Sequence, residues 1–268
     1  MKLTQAIDHI RPTIVQICFR GTDFNRPVVC GTGFIVNEDA YVITAGHVIQ
    51  FDHSIAEQLQ VGQLRICVGL AMPNAENIRG NFSIVDANLI EQDAFHDIAL
   101  LKLVRNPFRN EVRSGFKIGD KEIPLLYGVA TLNKTRPKDG AAVGISGYPL
   151  GEPVLVTNAG WMATTWSFTT RLGATPILGT KQWFHELDVA DCYFADVEVN
   201  PGNSGGPVYL IENATVIGVC VGSKLAPVRD SRGNIVNGLF YSSGLTKIVP
   251  IRYAIELLQK HNGTWFEL

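Results

Sequence analysis

The chain has 268 residues, 46% hydrophobic, 18% charged and 9% aromatic, a globular profile with core enough for one large domain or two lobes. A formal net charge of −2, with Lys and Arg scattered, excludes the broad basic field that recruits nucleic acid or an anionic membrane surface. No run of about 18 apolar residues occurs, so no membrane-spanning helix is expected.

The first stretch, MKLTQAIDHIRPTIVQICF, is interrupted by Asp8, His9 and Arg11 and lacks both an apolar h-region and a small-residue cleavage site. It reads as no secretory signal, which makes the cytosol the default address. Short apolar runs rich in Val, Ile and aromatics then follow one another, separated by Gly, Pro, Asn and Asp. They predict strands over 13–19, 28–36, 41–44, 64–69, 83–90 and 98–104, and again over 141–147, 153–164, 193–199, 206–210, 215–221 and 236–242. Between the two sets, 105–140 is polar and irregular and serves as the connection between two β-rich halves. Helices are predicted over 52–60 and over 249–261, the second from the apolar stripe Ile251, Ala254, Ile255, Leu257 and Leu258, with Gly263 as a stop. Strands at this spacing with few helices point to an all-β sandwich or barrel architecture.

The five cysteines, Cys18, Cys30, Cys67, Cys192 and Cys220, are odd in number, far apart and mostly inside apolar runs. Buried thiols in a reducing compartment account for them. With no C-x-x-C, H-E-x-x-H or G-x-x-x-x-G-K-[ST], no metal, redox pair, nucleotide or other cofactor is expected.

One peptide raises a chemical question: NPGNSGGPV, Asn200 to Val208. A serine hydroxyl is a poor nucleophile near neutral pH; it needs a base, a group that orients the base, and donors where an oxyanion will develop. Ser204 is the candidate nucleophile, with the N–H groups of Gly202 and Ser204 as oxyanion donors and Gly205 and Gly206 permitting crowding behind it. Asn-Pro-Gly-Asn is equally good chemistry for an ordinary turn. His47, in YVITAGHVIQ, is the candidate base beside the small residues Ala45 and Gly46, and Asp97, in AFHDIALLKLV, the candidate orienting carboxylate. Each taken alone has a structural explanation, a core histidine in one case and a strand-capping aspartate in the other. Residues 202–206 also fit G-x-S-x-G, but that elbow needs a helix next and a later catalytic histidine. Here Pro207 and a β-like run follow, and the only later histidine is His261.

Taken together, TAGHV, HDIALLKL and GNSGGPV resemble the three signature segments of the chymotrypsin-like serine peptidases, in that family's order. VCGTGFIVNEDAYVITAGHVI, PKDGAAVGISGYPLGEPVLVTNAGWMAT and ADVEVNPGNSGGPV are similar to the corresponding stretches of the HtrA/Deg branch, so the likeness spans roughly residues 8–260. It implies one peptidase domain over 1–268 made of two six-stranded antiparallel β-barrels, the first over about 8–110 and the second over about 124–248, with a helix over about 249–261. It implies a serine endopeptidase acting on protein or peptide substrates through His47, Asp97 and Ser204, with room for an activating protein partner. The alternative is a catalytically idle protease fold used for binding or scaffolding.

The resemblance has departures. Cys30 stands where secreted relatives start a bridge to a cysteine beside the catalytic histidine, but Val48 follows His47. Asn203 replaces the aspartate that in secreted relatives pairs with a freshly cut amino terminus, so no zymogen cleavage is expected. The PDZ domain common in the Deg branch is not expected within these residues. By family position Glu198 would stand near the base of the pocket for the residue before the cut bond, with Val221, Gly222 and Ser223 on its far wall. For Glu198, alternation with Val197 and Val199 gives an equally good account as the polar face of a strand. The long segment 165–190 is expected to be a mobile loop gating the site.

Overall fold

The computed structural model describes residues 1–21, 27–50, 64–71, 82–109, 117–118, 121–122, 127–152, 154–170 and 189–267. The helix expected over 52–60 lies outside these residues, as does 171–188 of the expected gating loop. Among the described residues no helix is long and apolar enough to cross a membrane.

The chain opens with a helix that the strand-dominated pattern did not announce, α1 (Leu3–Ile10). Its buried Ala6 and Ile10 lie four residues apart on one face, too short a repeat to stand out in sequence. Six strands follow: β1 (Ile14–Gly21), β2 (Val28–Ile35), β3 (Tyr41–Ala45), β4 (Leu64–Ala71), β5 (Phe82–Asp93) and β6 (Ile98–Leu103). They close a barrel in the order β1-β2-β3-β6-β5-β4, and closure leaves no exposed edge. Alternate side chains fill it, among them Val15, Ile17, Ile35, Val42, Val68, Leu70, Val85 and Leu101.

The intervening side chains of the same strands are also buried. Ile14, Phe34, Ile43, Ile98 and Leu100 point outward, into a core shared with Tyr209, Val216 and Val249 from the second half of the chain. Burial on both faces explains why β1, β3 and β6 read as nearly continuous apolar runs rather than as alternating ones.

The connecting stretch carries two short strands, β7 (Lys117–Ile118) and β8 (Lys121–Glu122), and then β9 (Thr131–Leu132). The second barrel uses β10 (Ala142–Gly147), β11 (Val156–Thr170), β12 (Val189–Asp196), β13 (Pro207–Leu210), β14 (Val216–Arg229) and β15 (Ile235–Pro250). Their order is β13-β10-β11-β12-β15-β14, and pairing of β14 with β13 closes the ring. The pairs around this ring are antiparallel. Val143, Ile145, Met162, Tyr193, Val208, Ile217, Cys220 and Ile248 fill it.

Strands β14 and β15 run well past the expected 215–221 and 236–242. Beyond the barrel they continue as a two-stranded ribbon, closed by a turn in which Asp230 accepts the N–H groups of Arg232 (2.9 Å) and Asn234 (2.8 Å). The mixed polar and apolar sequence of 222–229 hid the extension of β14, whereas the expected 236–242 fell in the ribbon and missed the barrel part of β15 at 245–250.

The last helix, α2 (Ile251–Lys260), buries Ile251, Ala254, Ile255, Leu257 and Leu258 in the core between the barrels. Gly263 N–H bonds Leu258 O at 2.7 Å and Asn262 N–H bonds Gln259 O at 3.1 Å, the pairing of a Schellman stop. The left-handed residue is Asn262 (φ 55°), and Gly263, expected as the stop, follows it and closes the helix. A final strand, β16 (Phe266–Glu267), pairs in parallel with β9. Two closed six-stranded antiparallel barrels followed by a helix are the architecture that the resemblance implied.

Candidate active site

His47 sits in a single 3₁₀ turn, Gly46–Ile49, directly after β3. Asp97 ends the tight connection from β5 to β6 and adopts φ 56°, a left-handed conformation that aspartate tolerates better than most residues. Pairing of β3 with β6, with Ala45 opposite Ile98, brings the two residues together. Asp97 O accepts the Gly46 N–H at 2.8 Å, Asp97 Oδ1 accepts the His47 N–H at 2.7 Å, and Asp97 Oδ2 lies 2.7 Å from His47 Nδ1. Asp97 is 3% exposed, whereas the His47 side chain is 38% exposed. An ionised carboxylate only accepts, so this contact puts a proton on Nδ1 and leaves the lone pair of Nε2 on the open side of the ring.

A second histidine–aspartate pair stiffens this connection. Asp93 accepts the N–H groups of Phe95 and His96, each at 3.0 Å, and its Oδ2 lies 2.5 Å from His96 Nδ1. The His96 ring stacks on Tyr253 of α2, centroids 3.7 Å apart. Burial raises the Asp93 carboxyl, but the bonds from His96 and Phe95 outweigh it and hold the group below its usual range. Burial also lowers the nearby Lys247 ammonium, opposed by Cys192 and Asp97.

Ser204 lies in the loop between β12 and β13. Asn203 N–H bonds Asn200 O at 3.0 Å, Pro201 and Gly202 are the two central residues, and Gly202 has φ 101°. Proline then glycine with positive φ is the pattern of a type II turn. The sequence left the turn and the donor arrangement as alternatives; the fold shows the turn. Asn203, Gly205 and Gly206 N–H groups are bonded to Asn200, Cys220 and Asn203 carbonyls. Among the described residues the N–H groups of Gly202 and Ser204 have no such acceptor.

Thr32 of β2 fastens this loop to the first barrel. Its N–H donates to Ser204 O at 2.9 Å and its hydroxyl donates to Gly202 O at 2.7 Å. Thr32 Oγ1 also accepts Tyr148 N–H at 2.9 Å, while Thr32 O accepts the Thr44 hydroxyl at 2.7 Å. Gly205 rests on β3: a Cβ there would fall 2.2 Å from Thr44 Oγ1 and 2.9 Å from Ala45 N. The loop that carries Ser204 therefore packs against Ala45, two residues before His47. Hydrogen bonding among the described residues joins His47 to Asp97 and does not join His47 to Ser204.

Of the remaining expected site residues, Glu198 lies two residues past the end of β12 and is exposed between buried Val197 and Val199. Val221 packs against the cores on both sides of it, and Ser223 donates its hydroxyl to Val199 O at 3.1 Å. Gly222, φ 132°, faces open space. Asn203 is buried. Thr32 was not foreseen: nothing local in VCGTGF marks it, because its partners lie 116 and 170 residues away.

A family model described as Trypsin-like peptidase domain matches residues 31–219. The chain is 25% identical to Serine protease HTRA1B of Danio rerio over 81% of its own length and 36% of the relative's. It is 29% identical to a probable periplasmic serine endoprotease DegP-like of Chlamydia muridarum over 84% of its length and 33% of the relative's. It thus spans about a third of these curated relatives. Its fold is similar to that of the Rv3671c protease from M. tuberculosis in its active form, with TM-score 0.59 and 18% identity over 97% of this chain and 86% of the other. With the family match running from β2 to β14, over more than half of its residues, the chain belongs to the trypsin-like peptidase domain family.

Proposed function

We propose that the protein is a serine endopeptidase working through His47, Asp97 and Ser204. The observation that carries this reading is the buried Asp97 carboxylate holding both the backbone N–H and Nδ1 of His47, which orients Nε2 as a base. Ser204 Oγ attacks the substrate carbonyl carbon while its proton passes to His47 Nε2. The carbonyl oxygen becomes an oxyanion bound by the Gly202 and Ser204 N–H groups. The tetrahedral species collapses as the C–N bond breaks and the leaving amine takes the proton from His47. Water then hydrolyses the acyl-serine ester by the same proton route.

Substrate binding, or an activating protein partner, closes the remaining gap between His47 and Ser204; the absence of a hydrogen bond between them among the described residues supports this step. The thiol state of all five cysteines fits a reducing, cytoplasmic setting, although the Chlamydia muridarum relative is named periplasmic; cell fractionation tests this. Labelling with a fluorophosphonate probe tests the catalytic reading against an idle scaffold. Wild type is expected to label and Ser204→Ala and His47→Ala are not; an unlabelled wild type that also cleaves no peptide leaves the scaffold reading.

A further inference from the structure

Three of the five thiols gather on adjacent strands of the first barrel. The register of β1 and β4 sets Cys18 directly opposite Cys67. On β2, Val29 stands opposite Cys18 and Gly31 opposite Ile17, so Cys30 is the extra residue of a β-bulge beside Cys18. The thiols thus run Cys67, Cys18, Cys30 across β4, β1 and β2. Among the described residues no other two cysteines are strand partners: Cys192 lies opposite Ser167 and Cys220 opposite Ile248.

Cys18 and Cys67 share a face. Val15 and Ile17 of β1, and Val68 and Leu70 of β4, fill the barrel. Alternation turns Cys67 and Gly69 outward. Gln16, opposite Gly69, is outward as well: a Cβ on Gly69 would fall 3.2 Å from Gln16 Cβ. Two residues along each strand, the Cys18 and Cys67 thiols are hydrogen-bonded to each other. That bond, then burial, pushes the Cys18 thiol well up, so Cys18 keeps its proton and donates it toward the Cys67 sulfur. Partners across antiparallel strands have Cα atoms about 4.5 or 5.5 Å apart, inside the roughly 4.4–6.8 Å window of a disulfide. Cys18 and Cys67 are both 0% exposed, whereas Cys30 is half-buried. Packing alone would be met by any small apolar residue at these positions and does not call for three thiols in one row.

We propose that Cys18 and Cys67 form a thiol oxidation site, closed to a disulfide by a peroxide that reacts first at Cys30. The Cys30 sulfur attacks the peroxide: an S–O bond forms, the O–O bond breaks and one water leaves. Cys18 then attacks the Cys30 sulfur. An S–S bond forms, the S–O bond breaks, and the hydroxide departs with the Cys18 proton as a second water. Cys67 attacks the Cys18 sulfur, and Cys30 leaves as a thiol carrying the Cys67 proton. Two thiols lose two electrons and two protons, and one hydrogen peroxide becomes two waters. The bridge joins β1 to β4 around a stretch that contains β2, β3, Thr32 and His47, so it constrains the part of the chain that carries the proposed base.

The test treats the full chain with hydrogen peroxide, alkylates it in denaturant and maps peptides by mass spectrometry without reduction. A Cys18–Cys67 crosslink that dithiothreitol removes is expected. The melting temperature should rise by about 5–10 °C on oxidation and return with dithiothreitol. Cys67→Ala should show no rise, its melting curve under reducing conditions confirming that it folds. Cys30→Ala should form the crosslink at least about tenfold more slowly, because the exposed thiol is the one that meets the oxidant. Oxidised wild type without the Cys18–Cys67 crosslink, whether it carries sulfinic acid or a bond between other cysteines, overturns the site. A crosslinking rate in Cys30→Ala equal to wild type overturns the role of Cys30. None of these readouts depends on Ser204, so the peptidase reading stands or falls separately by fluorophosphonate labelling.

Discussion

Thr32 donates its backbone N–H to the carbonyl of Ser204 at 2.9 Å, so a strand of the first barrel holds the candidate nucleophile of the second. The Thr32 hydroxyl extends the hold to Gly202 O and Tyr148 N–H. Thr32→Val keeps the branched shape and leaves one buried and one half-buried backbone group without their partner, a loss of about 1–3 kcal/mol. Urea unfolding should show that loss, and fluorophosphonate labelling should slow in the folded variant. A labelling rate equal to wild type would mean that the clamp does not set the loop.

Asp97→Asn should preserve the fold while reversing the donor requirement at His47 Nδ1, with turnover falling by about 10⁴-fold. Peptide hydrolysis with a melting curve as control measures it, and a loss below tenfold would remove Asp97 from the triad.

Gly202→Ala places a side chain on a residue at φ 101°, with its Cβ 2.5 Å from Tyr148 O. The turn must shift, carrying with it the Gly202 N–H proposed as an oxyanion donor, so turnover should drop by at least about 10²-fold. Peptide hydrolysis near wild-type rates would show that this N–H takes no part.

Glu91 links β5 to the end of α2. The hydrogen bond from Lys260 (2.5 Å), then that from His261 (2.6 Å), holds its carboxyl below the ordinary value of 4.5. A depressed pKa contributes stability above the unfolded value and loses it as pH falls through the folded one. Glu91→Gln should therefore lower the melting temperature at pH 7, and the gap should close as pH drops below about 4. A gap that is constant with pH would contradict the linkage.

Burial pushes the Cys220 thiol up to about 12. Iodoacetamide on the native protein, followed by peptide mass mapping, should leave Cys220 unmodified until denaturant is added.

Eleven of the twelve barrel strands were legible as compact apolar runs bounded by turn residues; for β15 the expected 236–242 marked the ribbon and missed the barrel portion at 245–250. The His47–Asp97 contact was legible through the segments around the two residues. The helix α1 was not, since a single Ala6–Ile10 pair gives no period. Nor were β9 and β16, two-residue strands stabilised by pairing across 135 residues, from Thr131 to Phe266. The outer reach of β14 also escaped, because the turn that ends it depends on Asp230 bonding rather than on an apolar pattern.

The core between the barrels contains Ile14, Phe34 and Leu100 from one half, Tyr209 and Val249 from the other, and Leu258 from α2. Neither half can keep that surface dry alone. Separately expressed halves would each expose an oily flank and should clump, whereas mixed during refolding they should reassemble. A protease nick in the intervening stretch would leave two fragments that travel together until denaturant parts them.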